Sequence, residues 1–251
     1  MIAFIGDIHD WWVEAFRSLK TKGLSDCAVF HAGDMGAGFE RPQKEMRRLQ
    51  NLNNLLKGIG LTMYCARGNH DDPDWYDGRI DMSNLKLLPD YSVVELGLRK
   101  VMVVGGAVSV DRMKRNAYLK RNDSHKHVGW WPGEWPVYDE AKIDAAGKVD
   151  VVVSHTAPDF CEPLKKDGLY QFLEHDRGLW DDTRLERNIM SKIYDRIRSH
   201  GTPDLWAYGH FHMNHTSYFE GTKFVALDRW RPDANFNIYT HFNGEINTFD
   251  I

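Results

Sequence analysis

Met1–Asp10 reads MIAFIGDIHD: four apolar or small residues, Ile2–Ile5, run into Gly6 and then into Asp7, Ile8 and His9. Alternate side chains of a strand point the same way. An Asp-x-His pair at a strand's end therefore aims a carboxylate and an imidazole at one point, a donor mixture that suits a divalent metal. The question for the rest of the chain is whether further ligands arrive. The apolar run Cys27–Phe30 stops at His31, Ala32, Gly33, Asp34, Met35 and Gly36, and Leu61–Ala66 ends at Arg67, Gly68, Asn69, His70 and Asp71. Later, Asp150–Val153 delivers Ser154, His155 and Thr156, while Leu205–Tyr208 leads into Gly209, His210, Phe211 and His212.

Between these strands the pattern turns helical. Trp11, Trp12, Val13, Ala15, Phe16 and Leu19 fit a helix that Asp10 could cap and Gly23 could end, and Pro42–Lys57 carries a stripe of Met46, Leu49, Leu52, Leu55 and Leu56. Strand–helix alternation predicts a layered α/β architecture with parallel neighbours, whose ligands gather outside the carboxyl ends of the strands. Lys86–Leu88, Tyr91–Leu96 and Val101–Val104 read as further strands, Tyr138–Ala146 and Leu185–His200 as helices. The tail from Thr216 to Phe249 reads as antiparallel strands with an Asn243-Gly244 turn, which predicts a second sheet. No repeat or linker interrupts the chain, so one domain is expected over residues 1–251.

Composition sets the outer bounds. Of 251 residues, 42% are hydrophobic and 27% charged, ordinary for a globular protein, and a formal charge of -4 argues against bulk nucleic-acid affinity. Cys27, Cys65 and Cys161 lack metal-finger spacing and read as buried free thiols of a reducing compartment. No apolar run reaches about 18 residues, and the N-terminus has neither a basic leader nor a signal core. A cytoplasmic protein without membrane contact is expected.

Taken in order, Gly-Asp-x-His, Gly-Asp, Gly-Asn-His-Asp, an isolated His and Gly-His-x-His resemble the motif series of the calcineurin-like metallophosphoesterase family, over Met1–His212. The resemblance implies a central two-sheet β-sandwich flanked by helices, in four α-β-β-α layers. It implies two divalent ions, with Asp7, His9 and His212 on the first, Asn69, His155 and His210 on the second, and Asp34 bridging them. Gly6, Gly33, Gly68 and Gly209 precede ligands, where a bare backbone lets the chain turn tightly. A hydroxide shared by the ions would attack phosphorus, and His70 would protonate or stabilise the leaving alkoxide. Asp71 would orient or charge-tune His70, and Arg67 is placed to fork onto phosphate oxygens, although Arg at a strand end is equally an ordinary surface residue. The donor set accepts Mn²⁺, the ion expected to serve in vitro, and also Fe, Zn²⁺, Co²⁺ or Mg²⁺.

The substrate is less determined. The pattern of the phosphoprotein phosphatases would continue after Gly33-Asp34 with Asp or Asn, then Arg and Gly; here Met35, Gly36 and Ala37 follow, and the arginine of that loop is missing. The segment 111–135, polar and without a convincing period, reads as a specificity loop. From it Arg112, Lys114 or Arg115 could reach a phosphate while Trp130 or Trp131 stacks on a base; alternatively the tryptophans pack the loop and the basic residues are solvated. A phosphomonoesterase acting on a nucleotide, small phosphoester or phosphoprotein is favoured. The alternative is a phosphodiesterase or nuclease, with nucleic acid as substrate only, and a remote one is a non-catalytic metal-stabilised scaffold. Ordinary readings suffice elsewhere: His31 as a packed, hydrogen-bonded histidine, the Trp11–Trp12 pair as packing.

Overall fold

The first strand forms where its apolar residues stand. The computed structural model describes residues 1–121, 130–164, 169–231, 238–242 and 245–249. In it β1 (Ile2–Ile5) is buried along its whole length, and it alternates as a strand must: Ala3 and Ile5 face one apolar layer, Ile2 and Phe4 another. Beside β1 lie β2 (Cys27–His31), β3 (Leu61–Cys65) and β4 (Leu85–Leu87), all parallel, connected early on by helices α1 (Trp12–Thr21) and α2 (Pro42–Ile59). A second sheet is built from β5 (Val93–Leu96), β6 (Arg99–Val104), β7 (Val151–Ser154), β8 (Leu205–Tyr208), β9 (His215–Phe219) and β10 (Thr222–Ala226), in the order β5-β6-β7-β8-β10-β9. Between its strands come α3 (Arg112–Arg121), α4 (Glu140–Ala146), the short α5 (Tyr170–Leu173) and α6 (Leu179–His200).

Three apolar layers hold the four-layer stack together. Phe4, Phe30, Val101, Val103, Val151 and Leu205 fill the space between the sheets. Phe16, Leu19, Leu49 and Leu56 bury the helical stripes of α1 and α2 against the first sheet, and Ile143, Met190, Ile193 and Ile197 bury those of α4 and α6 against the second. The fold is the expected α-β-β-α sandwich. Among the described residues no helix is long and apolar enough to cross a membrane, and all three cysteines are free and buried.

Several local expectations change. The tail does not make the second sheet alone: that sheet begins at β5. Of the tail strands only β9 and β10 join it, while β11 (Ile238–Phe242) and β12 (Glu245–Phe249) return to the first sheet as β12-β11-β1-β2-β3-β4. The Asn243-Gly244 turn lies outside the described residues, as does 122–129 of the expected loop. The part of that loop beginning at Arg112 is helical, because Met, Lys, Arg, Ala and Leu are all good helix formers even without an apolar stripe. Asp10 does not cap α1; Trp11 occupies that position without a side-chain cap, and Asp10 pairs with Arg48 of α2.

Register positions the functional edge. Ile5, His31 and Cys65 are aligned across β1, β2 and β3, and Val104, Ser154 and Tyr208 across β6, β7 and β8. Every motif of interest therefore leaves its sheet at the same end.

Candidate metal centre and cleft

The loops beyond that edge bring the seven expected ligands together. Asp7 Oδ2 lies 3.0 Å from His212 Nε2 and 3.7 Å from His9 Nε2, and the two imidazole nitrogens are 3.1 Å apart. Asp34 Oδ2 is 3.9 Å from His9 Nε2, and its Oδ1 is 3.2 Å from His155 Nε2. Asn69 Oδ1 stands 2.9 Å from His155 Nε2 and 3.0 Å from His210 Nδ1. Three groups have donor atoms all within 4.8 Å: Asp7, His9 and His212; Asp7, Asp34 and His155; and His9, Asp34 and His70. Asp7, His9 and Asp34 each belong to two of them, so the groups adjoin and share carboxylates, as two neighbouring ions would need.

The donor chemistry fits divalent ions. His155 sets Nδ1 against the Ala32 carbonyl at 2.7 Å, which ties down one N–H and turns Nε2 toward Asp34 and Asn69, where its proton would give way to an ion. A histidine so tied from behind is the usual form of a metal ligand. Asp7, Asp34, Asn69 and His155 are buried there with their polar atoms turned toward one another, a concentration of ligand atoms that suits a cation.

The backbone is bent to achieve this. His9 (φ 46°), Asp34 (φ 61°), His210 (φ 67°) and His212 (φ 52°) are all left-handed, a strained conformation that clusters at functional sites. Two of the preceding glycines act by close approach: a Cβ on Gly68 would sit 2.2 Å from Asp34 Oδ1, and one on Gly209 2.3 Å from Asp7 Oδ1. Tight turning was the expected reason, yet neither has a positive φ.

Charge follows geometry. Burial works against ionisation of Asp34, but His155, His70 and His9 together hold its carboxyl well below the usual range. Asp7, also opposed by burial, is lowered by His212 and His155. His155 is pushed up to about 9, the charge of Asp34 overcoming the opposing effect of burial. Its proton would leave as an ion enters. His70 is lowered to about 4 by burial, which outweighs the pull of Asp34.

Other expected site residues are placed differently. Among the described residues, no hydrogen bond joins the Asp71 carboxylate to the His70 ring. The Asp71 carboxylate accepts backbone N–H bonds from Asp34 (2.9 Å), Met35 (3.3 Å), Gly36 (2.8 Å), Ala37 (2.9 Å) and Gly68 (2.7 Å), so it shapes the loop that carries Asp34. Arg67 is buried, and both its Nη atoms are engaged: they donate to the carbonyls of Gly133, Glu134 and Trp135 and to Asp90. Arg112 is held by Asp176 (2.6 Å) and Asp182 (2.5 Å) beside α6. Trp131 is buried edge-on against Phe39, 5.3 Å between centroids, and neither it nor Trp130 lines the cleft. His31 is buried as expected, but among the described residues its two ring nitrogens have no hydrogen-bond partner.

The cleft over the centre has a volume of about 780 Å³. His70, Lys114 and Arg115 line one part, Phe172, Phe211 and Met213 another. Arg115 sets its guanidinium along His70, 3.0 Å from Nδ1 and 2.6 Å from Nε2, and pairs with Asp111 at 2.8 Å. Sequence reading missed Ser109 and Glu134. Ser109 lies beyond β6, at the edge where the motifs converge, and Glu134 has no such signal. Burial pushes the Glu134 carboxyl up to about 7, against two hydrogen bonds from Ser109.

Comparison with known proteins identifies the family. A family model of calcineurin-like phosphoesterases matches residues 1–214, and the chain belongs to that family. Among solved structures it is similar to a phosphopantetheinyl hydrolase from Mycobacterium tuberculosis (16% identity, 91% of this chain and 89% of that one, TM-score 0.44). It is also similar to an archaeal phosphodiesterase (13% identity, 99% and 98%, TM-score 0.41) and to vacuolar protein sorting 29 of Cryptosporidium parvum (15% identity, 99% and 94%, TM-score 0.34). Comparison with curated proteins gives no match. Family membership makes the protein a metal-dependent phosphoesterase; the family uses two metal ions, and the three donor groups above are candidates to hold them.

Proposed function

We propose that the chain hydrolyses phosphate monoesters, with Asp7, His9 and His212 holding one ion, Asn69, His155 and His210 the other, and Asp34 shared. The observation that carries this is the convergence of those donors beneath a cleft with cationic side chains on its wall. When bound, the two ions supply polarisation of the phosphoryl group and activation of water. His70 lies 3.9 Å from Asp34 with Arg115 against it, and the pair would hydrogen-bond the departing oxygen and offset the charge that develops on it. Arg115 thereby supplies the guanidinium missing from the Met35-Gly36-Ala37 loop. With Lys114 it puts fixed positive charge where a dianionic monoester is best stabilised. Mn²⁺ is the ion proposed for reconstitution, since imidazole, carboxylate and amide donors all accept it.

A second reading, a phosphodiesterase, is favoured by one feature. Phe172, Phe211 and Met213 provide an apolar wall on which a second esterified group could lie. Assays on p-nitrophenyl phosphate and bis-p-nitrophenyl phosphate with added Mn²⁺ separate the two. Faster turnover of the monoester is expected, and the reverse would transfer the assignment to diesters. Asp34→Asn is expected to lower either activity by at least about a thousandfold (roughly 4 kcal/mol of barrier), and full activity would show that Asp34 is not shared between the ions.

A further inference from the structure

Asn69 can present either end of its amide to an ion, and only the Oδ1 end binds. Behind it runs a buried chain of hydrogen bonds. Asn69 Nδ2 donates to Ser109 Oγ at 2.9 Å, Ser109 Oγ donates to Glu134 Oε2 at 2.6 Å, and the Ser109 backbone N–H donates to Glu134 Oε1 at 2.8 Å. All three residues are at most 3% exposed. Arg67 in turn grips the carbonyls of Gly133, Glu134 and Trp135, which holds the segment that delivers the carboxylate.

We propose that Glu134 and Ser109 are positioning residues that polarise the Asn69 amide, so that Oδ1 and not Nδ2 faces the second ion. The reasoning is one of donor inventory. An ionised carboxylate only accepts, and a serine hydroxyl carries one proton. With that proton committed to Glu134, Ser109 Oγ has only lone pairs left for Asn69, and these select the NH₂ end. Flipping the amide would set its carbonyl oxygen against the Ser109 lone pairs and its NH₂ against the ion, two repulsive contacts in place of two attractive ones. The relay also gives Arg67 its role, one step further back than the phosphate contact expected of it.

This inference rests on Asn69 being a ligand of the second ion, so the experiment carries its own check of that reading. Mn²⁺ is titrated calorimetrically into EDTA-treated protein at pH 8, where Glu134 is ionised, for the wild type, Asn69→Ala, Ser109→Ala and Glu134→Gln. Partners that orient a ligand from behind typically contribute 10- to 100-fold in metal affinity. Ser109→Ala and Glu134→Gln are therefore expected to weaken one Mn²⁺ site by about that factor and leave the other within about threefold, reproducing in milder form the loss of one site in Asn69→Ala. Two unchanged sites in both variants, or equal weakening of the two, overturns the relay. Retention of both sites in Asn69→Ala would instead overturn the ligand assignment. Should a variant fail to fold, side-chain amide NMR of the metal-free wild type decides. The Asn69 NH₂ pair, identified by its absence in Asn69→Ala, is expected to be protected from solvent exchange, and rapid exchange of both protons counts against the bond to Ser109.

Discussion

The two walls of the cleft are built by different rules. On the metal-bearing edge, the position of each side chain is set by parallel strands in register. Ile5, His31 and Cys65 align, and whatever follows them leaves the sheet at one height. Where α3 meets the cleft, position depends on how that helix lies against its surroundings. Arg112 and Arg115 are three residues apart, a spacing that makes neighbours on a helix, yet one is held by Asp176 and Asp182 while the other reaches His70. Strand topology thus dictates where chemistry gathers, whereas individual ion pairs decide which of several similar residues takes part in it.

Asp71 gives the strongest way to break this contrast, because it makes the strand-end geometry rigid. Five backbone N–H groups share its carboxylate, and Asp71→Ala would leave them buried without an acceptor. At about 1–3 kcal/mol for each unsatisfied buried group, partly relieved by relaxation, a loss of at least about 3 kcal/mol in unfolding free energy is expected from urea denaturation. Replacement of a residue that merely tunes His70 would leave the urea midpoint in place, and that outcome would restore the role first expected from sequence.

The two arginines sharpen the comparison from the other side. Arg115→Ala is expected to lower kcat/KM on the best ester by about ten- to a hundredfold, roughly 1.4–2.7 kcal/mol of transition-state stabilisation, with little change in stability. Arg112→Ala should do the opposite: kcat/KM within about twofold, but unfolding free energy reduced by about 1 kcal/mol, discounted for its partial exposure. Equal kinetic effects of the two substitutions would mean that the wall acts as a diffuse field of charge and that the pairing with Asp176 and Asp182 selects nothing.

These differences explain what could be read before the structure. Asp7, His9, Asp34, Asn69, His155, His210 and His212 stood out because each follows an apolar strand, parallel strands put such residues at a common edge, and the resemblance to the calcineurin-like motif series marked them among their neighbours as candidate ligands. Arg67 and Asp71 sit in the same motifs, and sequence placed them correctly beside the site. It could not show that the Arg67 guanidinium would be used up by the carbonyls of residues 133–135, or that Asp71 would turn toward backbone amides. Those bonds are long-range, and their partners carry no signature. The helical character of α3 was obscured for a related reason. It lacks the apolar stripe by which helices are recognised, so only propensity spoke for it. The division of the tail between two sheets was similarly hidden, since antiparallel strands read alike whichever edge they join.

His31 offers the smallest effect at neutral pH and the most specific one in acid. It ends β2, is fully buried, and neither ring nitrogen is hydrogen-bonded among the described residues. Burial lowers its pKa from 6.5 to about 4, against the pull of Asp7 and Asp34. The unfolded chain therefore binds a proton that the folded chain refuses between those two values. Stability is unaffected by His31 above about pH 6.5 and is lost progressively as pH falls toward about 4, by about 2 kcal/mol at pH 5. His31→Leu removes that linkage without removing a hydrogen bond. Urea denaturation of the EDTA-treated proteins should place the variant within about 1 kcal/mol of the wild type at pH 7.5, and about 2 kcal/mol above that baseline at pH 5. Titration of the neighbouring imidazoles is common to both proteins and largely cancels in the difference. A difference that stays constant from pH 7.5 to pH 5 would mean that His31 is partnered in the folded protein, and that the edge of β2 carries a polar contact as well as a packed side chain.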